Sequence, residues 1–153
     1  MEGVTEHEQG FVLEMKCTID APRALVFQAL SEAAALAKWW GPSGFTTPDI
    51  ELDLKAGGRY RFGMQPPDGD LFHLAGEFVE IDPPHRLAYT FRWEDPARDD
   101  RETVVTLTLD ALADGTRFTL SQGEFANEDR LALHKSGWTD SLVKLRRFLE
   151  TRT

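Results

Sequence analysis

At 153 residues the chain has the length of one ordinary domain, enough to bury roughly 70% of the surface its unfolded form exposes. A hydrophobic share of 41% and a charged share of 28% exclude disordered, collagen-like and disulfide-dense classes. The 17 Lys and Arg against 26 Asp and Glu leave a formal charge of −9, and no local basic patch offsets it. Nucleic acid and anionic membrane surfaces are therefore not expected as partners.

The single Cys17 excludes an internal disulfide framework and a two-cysteine metal knuckle, and it makes a reducing, cytoplasmic setting the default. Residues 1–10 carry Glu2, Glu6 and Glu8 without an apolar core, so they read as neither a signal peptide nor a spanning helix. They are expected to form a flexible segment ahead of a single domain over residues 11–150.

Phe11, Leu13, Met15, Cys17 and Ile19 alternate with Glu14, Lys16 and Thr18, which predicts a first strand. Asp20, Ala21 and Pro22 then offer an N-cap acceptor and a proline at the start of a short helix carrying Leu25, Val26, Ala29 and Leu30. A bend at Ser31 leads into a second short helix, stopped by Gly41 and Pro42. From Thr46 to Thr119 the helical period is absent, and Gly57-Gly58, Asp68-Gly69, Asp82-Pro83-Pro84 and Asp114-Gly115 punctuate an antiparallel meander. Within it, Glu94–Arg101 reads as a charged loop. Arg59 and Arg61 alternate with the aromatics and are expected to face outward, pairing with Glu51 or Asp53. Leu131, His134, Trp138, Leu142, Leu145 and Leu149 restore the 3.6-residue period and predict one long closing helix.

The predicted class is α+β: a curved antiparallel sheet of about six or seven strands wrapped around a long C-terminal helix, with two short helices after the first strand. The final helix is the element with an apolar stripe long enough to cover the concave face. Such curvature leaves part of the sheet beyond side-chain reach, so a cavity is expected between sheet and helix.

Several residues carry a family resemblance: Lys38-Trp39-Trp40-Gly41-Pro42; Asp53 with Gly57-Gly58 and Tyr60; Gly76; the run from Glu80 to Leu87; and His134, Gly137-Trp138 and Leu142. In this order, over almost the whole chain, they resemble the group related to the C-terminal domain of the activator of heat-shock protein 90 ATPase. That group lies within the START-like, helix-grip (SRPBCC) superfamily of hydrophobic-ligand-binding proteins. The resemblance implies a START-like helix-grip domain. ATPase activation is not carried over, because in two-domain activators a separate N-terminal domain supplies much of the partner contact. A chaperone partner is accordingly not expected.

The expected cavity is bounded by Trp39, Trp40, Tyr60, Phe62, Phe78, Tyr89, Phe91, Phe118, His134, Trp138 and Leu142. The Trp39, Trp40 and Phe45 group reads first as a plug of core at the open end, with at least one tryptophan touching the cavity, and otherwise as a stacking surface for a ligand. Likewise, the period-two aromatics suit a core as well as a pocket. A lone imidazole such as His134 on an apolar helix stripe is most often a satisfied structural residue; otherwise it tethers a ligand or donates a proton. His73 and His85 read as surface or turn residues. No histidine pair has ligand spacing, no serine sits in a nucleophile elbow, and no glycine-rich loop opens a helix, so neither a metal nor a cofactor is expected.

The favoured function is binding or sequestration of a small, largely hydrophobic molecule, with no catalytic residue assigned. The alternatives are a cyclase- or hydratase-like enzyme, with His134 or a buried carboxylate acting on a bound carbonyl compound, and a stress-related interaction domain. A homodimer is left open.

Overall fold

The computed structural model describes residues 2–7, 10–96 and 100–150, with side chains from Phe11 onward. Its elements are β1 (Glu2–His7), β2 (Gly10–Ile19), α1 (Arg23–Ser31), α2 (Ala33–Trp39), β3 (Thr46–Leu52), β4 (Arg59–Gln65), β5 (Phe72–Asp82), β6 (Arg86–Trp93), β7 (Thr103–Leu112), β8 (Gly115–Phe125) and α3 (Glu128–Glu150). All strands join one antiparallel sheet in the order β1-β2-β8-β7-β6-β5-β4-β3. The expected sheet appears as the seven strands β2–β8, and Glu2–His7 pairs along β2 as an added eighth, edge strand. Residues 1, 8 and 9 of the N-terminal segment, and residues 97–99 of the charged loop, lie outside the described residues.

Alternation decides which side of each strand is covered. Leu13, Met15 and Ile19 of β2, Val105, Leu107 and Leu109 of β7, and Phe118 and Leu120 of β8 are each at most 2% exposed. Their neighbours Glu14, Lys16 and Thr18 face water. Strand β2 pairs with β8 in a register running from Ile19 opposite Thr116 to Phe11 opposite Phe125, so the first long strand is held by the last one.

The helices begin and end for local reasons. Asp20 does not cap α1: Pro22 occupies the N-cap position without a side-chain cap, and its carbonyl accepts from the N–H groups of Leu25 and Val26. Glu32, in extended conformation, separates α1 from α2, while the Ser31 hydroxyl folds back onto the Phe27 carbonyl at 2.7 Å. Helix α3 starts at Asn127, whose Oδ1 accepts from the Arg130 N–H at 2.9 Å. Glu128 and Asp129 sit in its first turn and Arg147 in its last, matching the helix dipole. The whole predicted stripe is buried: Leu131, His134, Trp138, Leu142, Leu145 and Leu149.

On the outer face, Arg61 reaches Glu94 through two bonds of 2.7 and 2.9 Å, so its partner is neither Glu51 nor Asp53. The small Ala75 lies between them in the strand order, beside Arg61 on β4, and leaves the guanidinium room to cross β5. Asp53 instead lies 3.6 Å from Lys55.

Tyr60 shows the same use of a small neighbour. It stands opposite Gly76 on β5, passes over that glycine, and donates its hydroxyl to the Thr90 carbonyl of β6 at 2.5 Å. A Cβ at residue 76 would overlap both the Tyr60 ring and the Thr90 carbonyl oxygen. We predict that Gly76→Ala costs about 1–3 kcal/mol through this overpacking. Urea unfolding with tryptophan emission as the readout checks it, and a loss near zero would mean that the Tyr60 crossing is not fixed.

Candidate ligand cavity

Helix α3 packs against β2 and β8, and α2 packs against β3 and α3. The backbones of β4–β6 stand away from α3, and His134 of the helix reaches across to Phe91 and Trp93 of β6 at one end only. What remains is a cavity of about 510 Å³. Its walls are Trp40, Pro42 and Phe45 from the turn after α2, Met64 and Phe72 from β4 and β5, Phe91 and Trp93 from β6, and His134 and Trp138 from α3. Leu133, 57% exposed, stands at its mouth.

Two aromatic clusters define its ends. Trp40 packs edge-on against Phe62 at 5.1 Å and Trp138 at 5.4 Å, and Tyr60, Phe78 and Tyr89 continue that cluster under α2. Phe45, Phe72, Trp93, Phe91, His134 and Phe125 form the second. Edge-to-face geometry recurs, with interplanar angles of 86° for Phe45 and Phe72 and 89° for Phe91 and Trp93.

Of the residues expected from the sequence, Trp40, Phe91, His134 and Trp138 line this space. The others are placed elsewhere by packing. Trp39 is buried with its Nε1–H donating to the Ala29 carbonyl at 2.8 Å, locking α2 onto α1. Tyr60, Phe62, Phe78 and Tyr89 close beneath Leu30 and Leu36 around a residual void of only about 10 Å³. Phe118 and Leu142 are completely buried in the core. His73 differs from a surface reading: it is half-buried at the cavity wall, 3.9 Å from Asp49. His85 does sit in an exposed turn, where Nδ1 lies 2.7 Å from the Arg23 guanidinium.

The sequence reading omits Gln122, which orients Trp138. Gln122 is fully buried; its Oε1 accepts from Trp138 Nε1 at 2.7 Å and its Nε2 donates to the Thr103 hydroxyl at 2.9 Å. The available signal was a polar residue continuing the inward parity of Phe118 and Leu120. Ser141 is a second omission. Its hydroxyl accepts from the Gly41 N–H at 3.1 Å and donates to the Gly41 carbonyl at 3.0 Å, while Gly41 itself adopts φ +102°. Asp140 accepts from the Ser43 N–H, and Lys144, its pKa lowered mainly by burial, donates to the Pro42 carbonyl at 3.2 Å.

His134 is buried against Phe91, Trp93 and Phe125, with Nδ1 2.9 Å from the Arg130 carbonyl. Burial lowers its pKa below the usual imidazole range; the bond to Arg130 and the proximity of Asp100 oppose that shift in part. Asp100 and Arg130 form an ion pair of 3.2 Å at the cavity edge. Among the described residues no group of three His, Cys, Asp or Glu is arranged to hold a metal ion, and no helix is long and apolar enough to cross a membrane.

A long helix seated in a curved antiparallel sheet, with an aromatic cavity left between them, defines a START-like helix-grip protein. The chain belongs to the family described as Activator of Hsp90 ATPase homolog 1-like protein, which it matches over residues 20–150. No curated protein matches it. Among solved structures it is similar to a Chromobacterium violaceum protein at 28% identity and TM-score 0.84, covering 91% of this chain and 96% of that one. It is also similar to the AHSA1 protein of Silicibacter pomeroyi at 27% identity and TM-score 0.80, covering 93% and 99%. An Arthrobacter aurescens protein, at 20% identity and TM-score 0.85 over 97% and 91%, shares the fold.

Two outcomes follow for this site. Trp138→Phe keeps most of the apolar contact but strands Gln122 Oε1, and should cost about 1–3 kcal/mol in urea unfolding. The lowered pKa of His134 means that the unfolded chain takes up its proton first. Its contribution is therefore intact above about pH 6.5 and is lost as pH falls through that value toward the folded-state pKa. His134→Gln should lose less stability than the parent chain between about pH 7.5 and pH 5. Equal losses in the two proteins would place the imidazole in water.

Proposed function

We propose that this chain binds and sequesters a small, largely apolar molecule in the cavity between α3 and strands β4–β6. One observation carries the reading: about 510 Å³ of aromatic-walled space remains open in a chain whose other apolar faces close tightly, within the roughly 300–1,000 Å³ range of small-molecule pockets. The titratable groups favour binding over chemistry. An acid–base enzyme needs a pair converging on one substrate atom. Here the buried His134 and the largely covered Asp100 do not form such a pair, since Asp100 is committed to Arg130 and His134 Nδ1 to the Arg130 carbonyl; His73 is half-buried beside Asp49, and Asp95 is exposed.

Trp40, Trp93 and Trp138 border the space, so a neutral environment-sensitive dye should quench tryptophan emission saturably and raise the melting temperature. Gly137 lines the cavity from within α3, where an added Cβ would meet only Pro42, at 3.8 Å. Gly137→Leu should therefore fill the space, weaken dye binding about tenfold or more, and leave the melting temperature equal or higher, since a helical glycine is removed. Unchanged emission up to the solubility limit, with no thermal shift in the parent chain, would overturn the reading.

A further inference from the structure

The polar atoms on the cavity wall specify what a guest must carry. Nδ1 of His134 lies 2.9 Å from the carbonyl oxygen of Arg130. A carbonyl oxygen can only accept, so Nδ1 holds the proton, and in the neutral ring Nε2 is left as a lone-pair acceptor. Among the described residues Nε2 has no protein partner, yet no sealed side-chain nitrogen or oxygen there lacks one; Nε2 therefore stands beside open space. On the wall, His73 is half-buried beside Asp49 and Ser136 is exposed, while the buried polar groups near Nε2 are already used. Trp138 Nε1 is taken by Gln122, the Ser141 hydroxyl by both backbone groups of Gly41, and Arg130 by Asp100.

Charge narrows the guest further. Arg130 is the one Arg or Lys on the cavity wall among the described residues, and it already faces a carboxylate. Asp95 and Asp100 lie on the same wall, in a chain of net charge −9. A carboxylate guest would meet repulsion without a compensating cation. Indole and phenyl rings in edge-to-face arrays suit the faces and edges of a flat ring system.

We propose that the cavity selects a neutral aromatic molecule bearing a hydroxyl group, whose O–H donates to Nε2 of His134 while its rings pack among Trp40, Phe91, Trp93 and Trp138. The proposal rests on the cavity being a ligand site and adds the polarity of the buried acceptor that faces it. An acceptor-only guest, such as an ether or ketone, would leave Nε2 desolvated and unpaired.

The test compares naphthol, its methyl ether and naphthalene carboxylate by calorimetric titration at neutral pH. Naphthol should bind about tenfold tighter than the ether, and the carboxylate more weakly than either. His134→Phe, which keeps a ring but removes the lone pair, should weaken naphthol to the level of the ether while leaving the ether unchanged. Nitrogen NMR of the parent chain reads the same bond without a variant: naphthol should shift the Nε2 resonance of His134 and the ether should not. Equal affinities for naphthol and ether with an unmoved Nε2 resonance would overturn the hydroxyl proposal and leave the ligand cavity standing. Tighter binding of the carboxylate would overturn the neutral guest. Failure of all three probes to bind would overturn the cavity reading together with the proposal.

Discussion

The two hydrogen bonds between the Ser141 hydroxyl and the backbone of Gly41 fix the relation between the long helix and everything that precedes the meander. They satisfy a buried N–H and a buried carbonyl at a position where the chain turns with positive φ, a conformation glycine adopts without strain. Trp40 is thereby held against Trp138 at 5.4 Å, and Pro42 against the helix near Gly137. Removing the hydroxyl leaves two buried backbone groups unpaired, at about 1–3 kcal/mol each. With α3 anchored here and against β2 and β8, its backbone stays off β4–β6, and His134 bridges the gap to Phe91 and Trp93 at one end. The open space is a consequence of where the helix is tied.

The same logic explains why the space has defined walls. Trp138 would be free to turn into it were its Nε1–H not committed to Gln122, which is held in turn by Thr103 on β7. A buried polar chain of this kind contributes little net energy when complete and costs much when broken, so it specifies one orientation more than it adds stability. At the other end the ion pair of Asp100 and Arg130 fixes the entrance of α3, beside the Asn127 cap.

The parts that follow from periodicity were legible in the sequence: the alternation in β2, the punctuated meander, and the stripe from Leu131 to Leu149. Strand β1 was not, because a short acidic segment gains its order from pairing along β2 and carries no apolar alternation of its own. The cavity residues legible in the sequence came from three signals: His134 and Trp138 from the helical stripe, Phe91 from the alternation of β6, and Trp40 from its place before the Gly-Pro turn. Tyr60, Phe62, Phe78 and Tyr89 share the inward parity of Phe91, yet α1 and α2 lie over them, and no pattern within a strand reports which helix will cover it. Gln122 and Ser141 escaped for a related reason. A polar residue at a core position is informative only once its partner is known, and Gly41 is 100 residues from Ser141.

The pairing of β2 with β8 has a consequence in time. Phe11 meets Phe125 and Ile19 meets Thr116, so the apolar face of the first long strand waits for nearly the entire meander before its neighbour exists. Closing a loop of that length costs entropy that local contacts do not repay, and it slows folding relative to a chain of neighbouring hairpins. On a ribosome, Leu13, Met15 and Ile19 would leave the exit tunnel long before β8 and α3 could cover them. The meander from β3 to β8 can pair strand by strand as it emerges, whereas the grip itself is completed last, in one step that seats β2 and α3 together.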